Sequence, residues 1–414
     1  MPFLPRRRRS TRVTIPTLLL LLLFAVHFYF FTTGFSTTCT RSDGEVVHKP
    51  QRSSLTTRSL VVNCLNQDPG CFKTNLTKGS NSEVFNHKVE QVENVAQKII
   101  SKNSGLLSNL SSKTTEFKEY PGYFENFTYF QLNRSRVSDI PSQYSIPGAS
   151  VCSGDVDLLV MIMSVKQHSD WRLLIRQTWA SPIYDKSWSQ KGLVRLVFFF
   201  GNEGFTDVEN LALYNESKLY GDIVVASFKD SYGNLSLKLA TALTWASKHC
   251  PHAKFVAKVD MDTFVLLPTL MELLQTISHN HTEFILGFQH RYIKPLVRRK
   301  GRWAVTNETY PYFYFPKYIY GHSYVISGPA VHKMAASFPF VHIVPNEDAF
   351  ITGIMAVTLN ITRLGNPTFA YSLKKYKICD LVYGYFVTAI YKKIFLKEIW
   401  TNVLNKNCSS VVIN

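Results

Sequence analysis

An uncharged apolar run, TLLLLLLFAVHFYFF over residues 17–31, follows five arginines, Arg6, Arg7, Arg8, Arg9 and Arg12. With its flanks, from Val13 to Phe35, the run reaches the roughly 20 residues that a helix needs to cross hydrocarbon. Arginines ahead of such a span keep the N-terminus in the cytosol and send the remainder to the lumen. The pattern predicts a cytoplasmic tail over residues 1–14, a transmembrane signal anchor over 15–35 and type II topology. A cleaved signal peptide has the same basic head, but no A-x-A site follows and the run exceeds the usual apolar core of such a peptide.

This placement also disposes of the first inference from charge. The formal net charge of +17 suggests a nucleic-acid binder, yet removing the five arginines before the span leaves 17 − 5 = +12, and the predicted topology takes the rest of the chain away from nucleic acid. Ten N-x-S/T sequons, from Asn75 to Asn407, all lie beyond the apolar run and fit a luminal chain. Seven cysteines in an oxidising compartment imply disulfides with at least one thiol left over. Cys64 with Cys71 and Cys379 with Cys408 are candidate pairs, and Cys39 is a candidate bridge for a homodimer.

Residues 36–150 are rich in Ser, Thr, Asn, Lys and Gln and read as a luminal stem, with one amphipathic helix predicted over 84–100. The texture changes at Asp155, where apolar runs alternate with helical patterns. That alternation predicts a layered α/β domain over 151–414 with a mostly parallel central sheet. Predicted strands cover residues 158–164, 193–201, 223–228 and 254–259; predicted helices cover 172–179, 207–220 and 234–249.

The last of those strands runs into Asp260-Met261-Asp262. Side chains alternate along a strand, so both carboxylates share a face, and two such oxygens suit a hard divalent cation beside a diphosphate. Ligands of open α/β sheets bind at the carboxyl ends of strands, where this pair falls. Asp155-Val156-Asp157 has the same spacing but precedes its strand, at the wrong edge. Asn346-Glu347-Asp348 opens a predicted helix over 349–358, where acids suit the first turn. A carboxylate there can also serve as a general base toward a hydroxyl. Arg172, Arg176 and Trp179 share one helical face, consistent either with arginines beside a donor phosphate or with a snorkelling, core-filling face. The aromatic segment from Trp303 to Tyr324 is expected to be irregular and either to stack on sugar rings or to cover the core.

Taken in order, RLLIRQTWA (172–180), YGDIV (220–224), FKDSYGNLSLK (228–238), WASKHCPHAKFVAKVDMD (245–262), RWAVTNETYP (302–311), YIYGHSYVIS (318–327) and NEDAFITG (346–353) resemble the β1,3-galactosyltransferase-like, fringe-related hexosyltransferase family. The resemblance spans about Asp155 to Trp400. It implies a GT-A-type, Rossmann-like fold and a Golgi membrane enzyme that moves a hexose from a UDP-sugar to a glycan on lipid or protein, with inversion and usually with Mn²⁺. Galactose is the first expectation, followed by the N-acetylhexosamines. Carried over by position, Arg172, Arg176, Thr178, Trp179, Asp222, Lys238 and Asp260 are expected on the donor. Asp260 and Asp262 are expected on the metal, Asp348 as base with Glu347 supporting it, and Trp303, Tyr310 and Tyr320 on the acceptor. Three departures stand out. Met261 replaces a middle Asp, Ile319 replaces a frequent Cys and leaves the partner of Cys250 open, and Ala389 stands where relatives carry a His that completes the metal shell. These departures support a rival reading, a non-catalytic glycan-binding or complex-forming homologue.

Overall fold

The computed structural model describes residues 108–117, 123–124, 127–184, 194–370 and 378–408, all within one compact unit that begins at Glu83. The predicted tail, anchor, 84–100 helix and the cysteines at 39, 64 and 71 lie outside the described residues. Among the described residues, no helix is long and apolar enough to cross a membrane.

Among the described residues, twelve strands form two sheets. Short strands β1 (Thr115–Phe117) and β2 (Tyr144–Ile146) precede the main alternation. It runs β3 (Leu158–Met163), α1 (Ser169–Gln177), β4 (Val194–Gly201), α2 (Asp207–Tyr220), β5 (Ile223–Ala226), α3 (Leu235–His249) and β6 (Phe255–Asp260). Next come β7 (Thr263–Val265), α4 (Leu267–Ser278), β8 (Phe284–Gln289), β9 (Ile319–Ser327) and α5 (Gly328–Ser337). The chain finishes through β10 (Thr362–Gly365), β11 (Phe369–Ala370), β12 (Thr388–Ile390) and α6 (Leu396–Asn405).

The main sheet has the order β1-β10-β8-β9-β6-β3-β4-β5-β2. Strands β3, β4, β5, β6, β8 and β10 run one way, and β9 with the two edge strands β1 and β2 runs the other. The sheet is thus mostly parallel, as predicted. Its edges are a departure: both come from residues assigned to the stem, with β1 on β10 and β2 on β5. Three-residue strands flanked by polar chain leave almost no periodicity to read, and only pairing with a preformed sheet defines them.

Alternation along the buried strands divides the core into two layers. Leu158, Val160 and Ile162 of β3 and Leu196, Phe198 and Phe200 of β4 face α1 and α4, whereas Leu159, Met161, Val197 and Phe199 face α3 and α5. Helix α2 starts on a capping box between Thr206 and Glu209 and ends at Gly221, whose φ of 70° suits glycine. Helix α1 starts at Ser169, earlier than predicted, and Asp170 accepts from the Trp171 amide. Asn109, Asn133, Asn215, Asn280, Asn307, Asn360 and Asn407 are exposed, whereas Asn234 is half-buried and donates to the Lys229 carbonyl.

The chain leaves β3 for β4 and β5 on one side, then crosses to β6 on the other side of β3. The crevice at the carboxyl ends of β3 and β6 is therefore a topological switch point, the usual ligand position of such sheets. Cys152 and Cys250, 98 residues apart, form a disulfide that ties the approach to β3 to the end of α3. This supplies the partner for Cys250 that Ile319 left open. Cys379 and Cys408 are not bonded to each other; the Cys379 thiol donates to the Cys408 carbonyl. Closing so long a loop restricts the unfolded chain, so Cys152→Ala is expected to cost about 2–4 kcal/mol, read from urea unfolding with slope and midpoint both fitted, and with a steeper slope for the less compact unfolded chain.

Candidate active site

β6 carries the site. Its period of two places Lys258 and Asp260 on the face that meets the second core layer. Lys258 is 3% exposed, and an ammonium can be buried there only because it is surrounded by acceptors. Its Nζ lies 2.8 Å from Asp260 Oδ1 and 3.0 Å from Glu347 Oε2, and it donates to the Gly321 carbonyl. Burial alone would lower the Lys258 pKa, but Asp260 and Glu347 outweigh it and hold the amine firmly protonated. Lys258 thereby joins the Asp260-Met261-Asp262 turn to the Glu347-Asp348 pair, which are distant in sequence.

Glu347 is held from its other side by the Tyr324 hydroxyl on β9. Asp348 follows it, half-buried, with Oδ1 accepting from the Ala349 amide at 2.9 Å and Oδ2 from the Gly321 amide at 3.2 Å. Gly321 thus donates to the acid and accepts from Lys258. A Cβ there would meet Glu347 Oε2 at 3.2 Å and Asp348 Cβ at 3.3 Å, so the close approach itself calls for glycine. Burial and the neighbouring Glu347 charge push the Asp348 pKa up to about 7, against the pull of Lys258 and the two amides. A carboxylate so placed can take a proton near neutral pH. The helix after it, expected over 349–358, is π-helical over Ala349–Met355 and α-helical only over Ala356–Thr358; such widened turns frequently accompany functional sites.

Asp260 stands 42% exposed, and Asp262 is open to solvent at the mouth of the turn. The protein packed around Asp262, then the Asp260 charge, push its pKa up to about 6. Met261 is buried in the core, pointing away from the carboxylates as its strand parity predicts. The chain returns here at its end. Tyr391 donates its amide to the Asp262 carbonyl at 2.9 Å and its hydroxyl to the Met261 carbonyl at 3.0 Å, next to the pairing of β12 with β7. Ala389 is buried opposite Phe264 and offers no ligand. No group of three His, Cys, Asp or Glu able to hold a metal is found among the described residues. Two carboxylates at one turn nevertheless have the hard oxygen chemistry that suits a divalent cation.

The expected donor residues are placed differently from the expectation. Arg176 forms a bidentate pair with Asp222 at 2.7 and 2.8 Å and also reaches Glu216 at 2.8 Å. Arg172 holds Glu216 at 2.8 and 2.6 Å and the Val165 carbonyl at 3.0 Å. Lys238 holds Asp230 at 2.6 Å and the Ser164 carbonyl, while Asp230 also accepts from the Gly201 amide. Thr178 bonds back to the Leu174 carbonyl at 2.7 Å, and Trp179 is buried in the core. Arg172, Arg176, Thr178, Trp179, Asp222 and Lys238 are all buried, and the charged ones among them meet opposite charges inside the protein. A sequence motif records that these residues travel together, not which way their side chains point.

Of the aromatic residues expected on an acceptor, Tyr310 is excluded. It is fully buried, edge-on to Tyr129 and Tyr312, with its hydroxyl on the Tyr314 carbonyl. Tyr320 is half-buried, stacked near Phe288, and Trp303 is 48% exposed. The irregular segment ends at Tyr318, since residues 319–327 form β9. Asp157 pairs with Lys254 at the far edge, as its place ahead of the strand implied.

Residues 170–367 match the family model described as Galactosyltransferase. The chain is 31% identical over 229 residues to beta-1,3-galactosyltransferase 5 of Pan paniscus, covering 54% of this chain and 72% of the relative. It belongs to the galactosyltransferase family. Human lactosylceramide 1,3-N-acetyl-beta-D-glucosaminyltransferase is 29% identical over 274 residues, covering 65% of this chain and 72% of that one. UDP-GlcNAc:betaGal beta-1,3-N-acetylglucosaminyltransferase 7 of Rattus norvegicus is 28% identical over 275 residues, 66% of each chain. This member of the galactosyltransferase family is a hexosyltransferase, and the matched segment contains both carboxylate pairs and Lys258.

Lys258 was legible only as a charge inside an apolar strand, two residues before Asp260 and so on the same face. Lys258→Met is expected to cost about 3–5 kcal/mol by stranding buried Glu347, whereas Lys258→Arg retains a folded protein; urea melts separate the two. Tyr310→Ala is expected to cost about 3–5 kcal/mol in the same assay and Trp303→Ala less than about 0.5.

Proposed function

We propose that the chain is an inverting, GT-A-type hexosyltransferase that uses a UDP-sugar to extend a glycan on lipid or protein in β1,3 linkage, as a type II membrane protein of the Golgi. The observation that carries this reading is Asp348: a carboxylate half-open to the switch-point crevice, with a pKa near neutrality, coupled through Lys258 to the Asp260/Asp262 pair. The names of the relatives include both galactosyl and N-acetylglucosaminyl transfer, so both donors belong in any test.

In the proposed reaction Asp348 takes the proton of the acceptor hydroxyl as its oxygen bonds to the anomeric carbon from the face opposite the nucleotide. The bond from that carbon to the diphosphate oxygen breaks, the electron pair leaves with UDP, and the configuration inverts. The Gly321 and Ala349 amides hold Asp348 in place, and Lys258 bridges its neighbour Glu347 to Asp260. Asp260 and Asp262 would hold a divalent cation such as Mn²⁺, whose chemistry is to neutralise the diphosphate. Arg172 and Lys238 contribute by fixing the Ser164–Val165 turn beneath the donor. The completeness of the two acidic pairs favours this reading over a non-catalytic homologue.

The test is UDP release by the purified chain from UDP-galactose, UDP-N-acetylglucosamine and UDP-N-acetylgalactosamine with an acceptor mixture, in Mn²⁺ and in EDTA. Release from one donor that EDTA stops, and that both Asp348→Asn and Asp262→Ala reduce by about 10²–10⁴-fold, is the expected result. Silence from folded wild-type protein with every donor would sink the assignment. A base must be deprotonated to act, so a pKa of about 7 predicts that kcat/KM falls as pH drops through that value and levels off above it.

A further inference from the structure

Helix α2 carries an apolar stripe on its outer side. Its inner side is fixed: Leu213 is buried in the first core layer, Glu216 holds Arg172 and Arg176, and Glu209 pairs with Lys166 at 2.7 Å. On the other side Val208 is 77% exposed, Leu211 59% and Leu219 73%. Three large aliphatic side chains grouped on one face of so well anchored a helix mark a surface that something covers more than a defect of packing.

Asn215 stands in the middle of that stripe. At about 100° per residue, Val208, Leu211, Asn215 and Leu219 fall within about 80° of one another around the helix axis, with Leu211 one turn before Asn215 and Leu219 one turn after it. Asn215 begins the sequon Asn215-Glu216-Ser217, is exposed, and makes no side-chain hydrogen bond among the described residues. Side chains on a helix lean toward its N-terminus, so a group attached to the Asn215 amide nitrogen lies back over Leu211 and Val208. The first sugar of an N-linked glycan, an N-acetylglucosamine, presents ring C–H groups and an acetyl methyl, which suit aliphatic neighbours. A protein partner would use the aliphatic tips but would have to bury the polar amide between them, whereas a glycan uses both.

We propose that Asn215 carries an N-linked glycan whose inner sugars cover Val208 and Leu211. In forming it, the Asn215 amide nitrogen bonds to the anomeric carbon of a lipid diphosphate-linked oligosaccharide. The bond from that carbon to the diphosphate oxygen breaks, the electron pair leaves with the diphosphate, and the amide gives up one proton to the enzyme that makes the transfer. The proposal rests on the luminal placement proposed above. It leaves the acidic pairs accessible, because α2 runs from the carboxyl end of β4 to the amino end of β5 and Asn215 lies in its second half, away from the sheet edge that bears Asp260.

The experiment is glycopeptide mass spectrometry with hydroxyl-radical footprinting of the full chain produced in cultured animal cells. Asn215 is expected to be occupied, as are Asn280 and Asn307, both exposed at turns. Val208 and Leu211 are expected to oxidise severalfold faster in Ser217→Ala, which deletes the sequon and keeps Asn215, and in Asn215→Gln, than in the native glycoprotein. Glycans at Asn280 and Asn307 with none at Asn215 would overturn the proposal and keep the luminal placement; no glycan at any sequon would overturn both. An occupied Asn215 with Val208 and Leu211 oxidised equally in all three chains would also overturn it, and equally slow oxidation throughout would assign the stripe to a protein partner or a second copy.

Discussion

One buried ammonium sets the terms of the site. Lys258 enters the interior on a central strand, and the cost of desolvating it is met by Asp260, Glu347 and the Gly321 carbonyl together. The Glu347 side chain is nearly buried, Asp260 sits at the rim beside a second acid, and a Cβ at Gly321 would crowd Glu347 and Asp348. The arrangement ties the turn after β6 to the entry of the π-helical segment. One member of each acidic pair, Asp260 and Glu347, is thus tied to the other through a single ammonium.

Around this link the remaining polar interior is organised in a second tier. Arg172, Arg176, Glu216 and Asp222 form a continuous buried ion network, and Lys238 with Asp230 forms a shorter one. Both end on backbone at the carboxyl ends of β3 and β4, at Ser164, Val165 and Gly201. Charged residues that resemble a binding motif serve here to fix main chain. The C-terminal segment does the same from the opposite side, where Tyr391 holds two carbonyls of the Asp-Met-Asp turn.

The periodicity of the chain predicted much of the architecture. The α2 boundaries were legible because a capping box and a terminal glycine mark them, and β3, β4 and β6 because uninterrupted apolar runs have few other uses in an α/β chain. The weak points were equally physical. β1 and β2 carry too few residues to show a period, and the aromatic excursion before β9 concealed which rings face inward, since Tyr310 and Trp303 differ in surroundings and not in residue type. Cys152 could not be matched to Cys250 from order alone, because pairing depends on where α3 ends relative to β3.

By itself the sequence determined the class of fold and singled out Asp260, Asp262, Glu347 and Asp348 as the proposed site, because strand parity and helix-start chemistry are local properties. Only the tertiary structure decided that Lys258 joins these acids, that Arg172 and Arg176 are buried against Glu216 and Asp222, and that burial beside Glu347 pushes the Asp348 pKa up. Those outcomes depend on burial and on charges brought together from distant segments, and neither is encoded in any short stretch of chain.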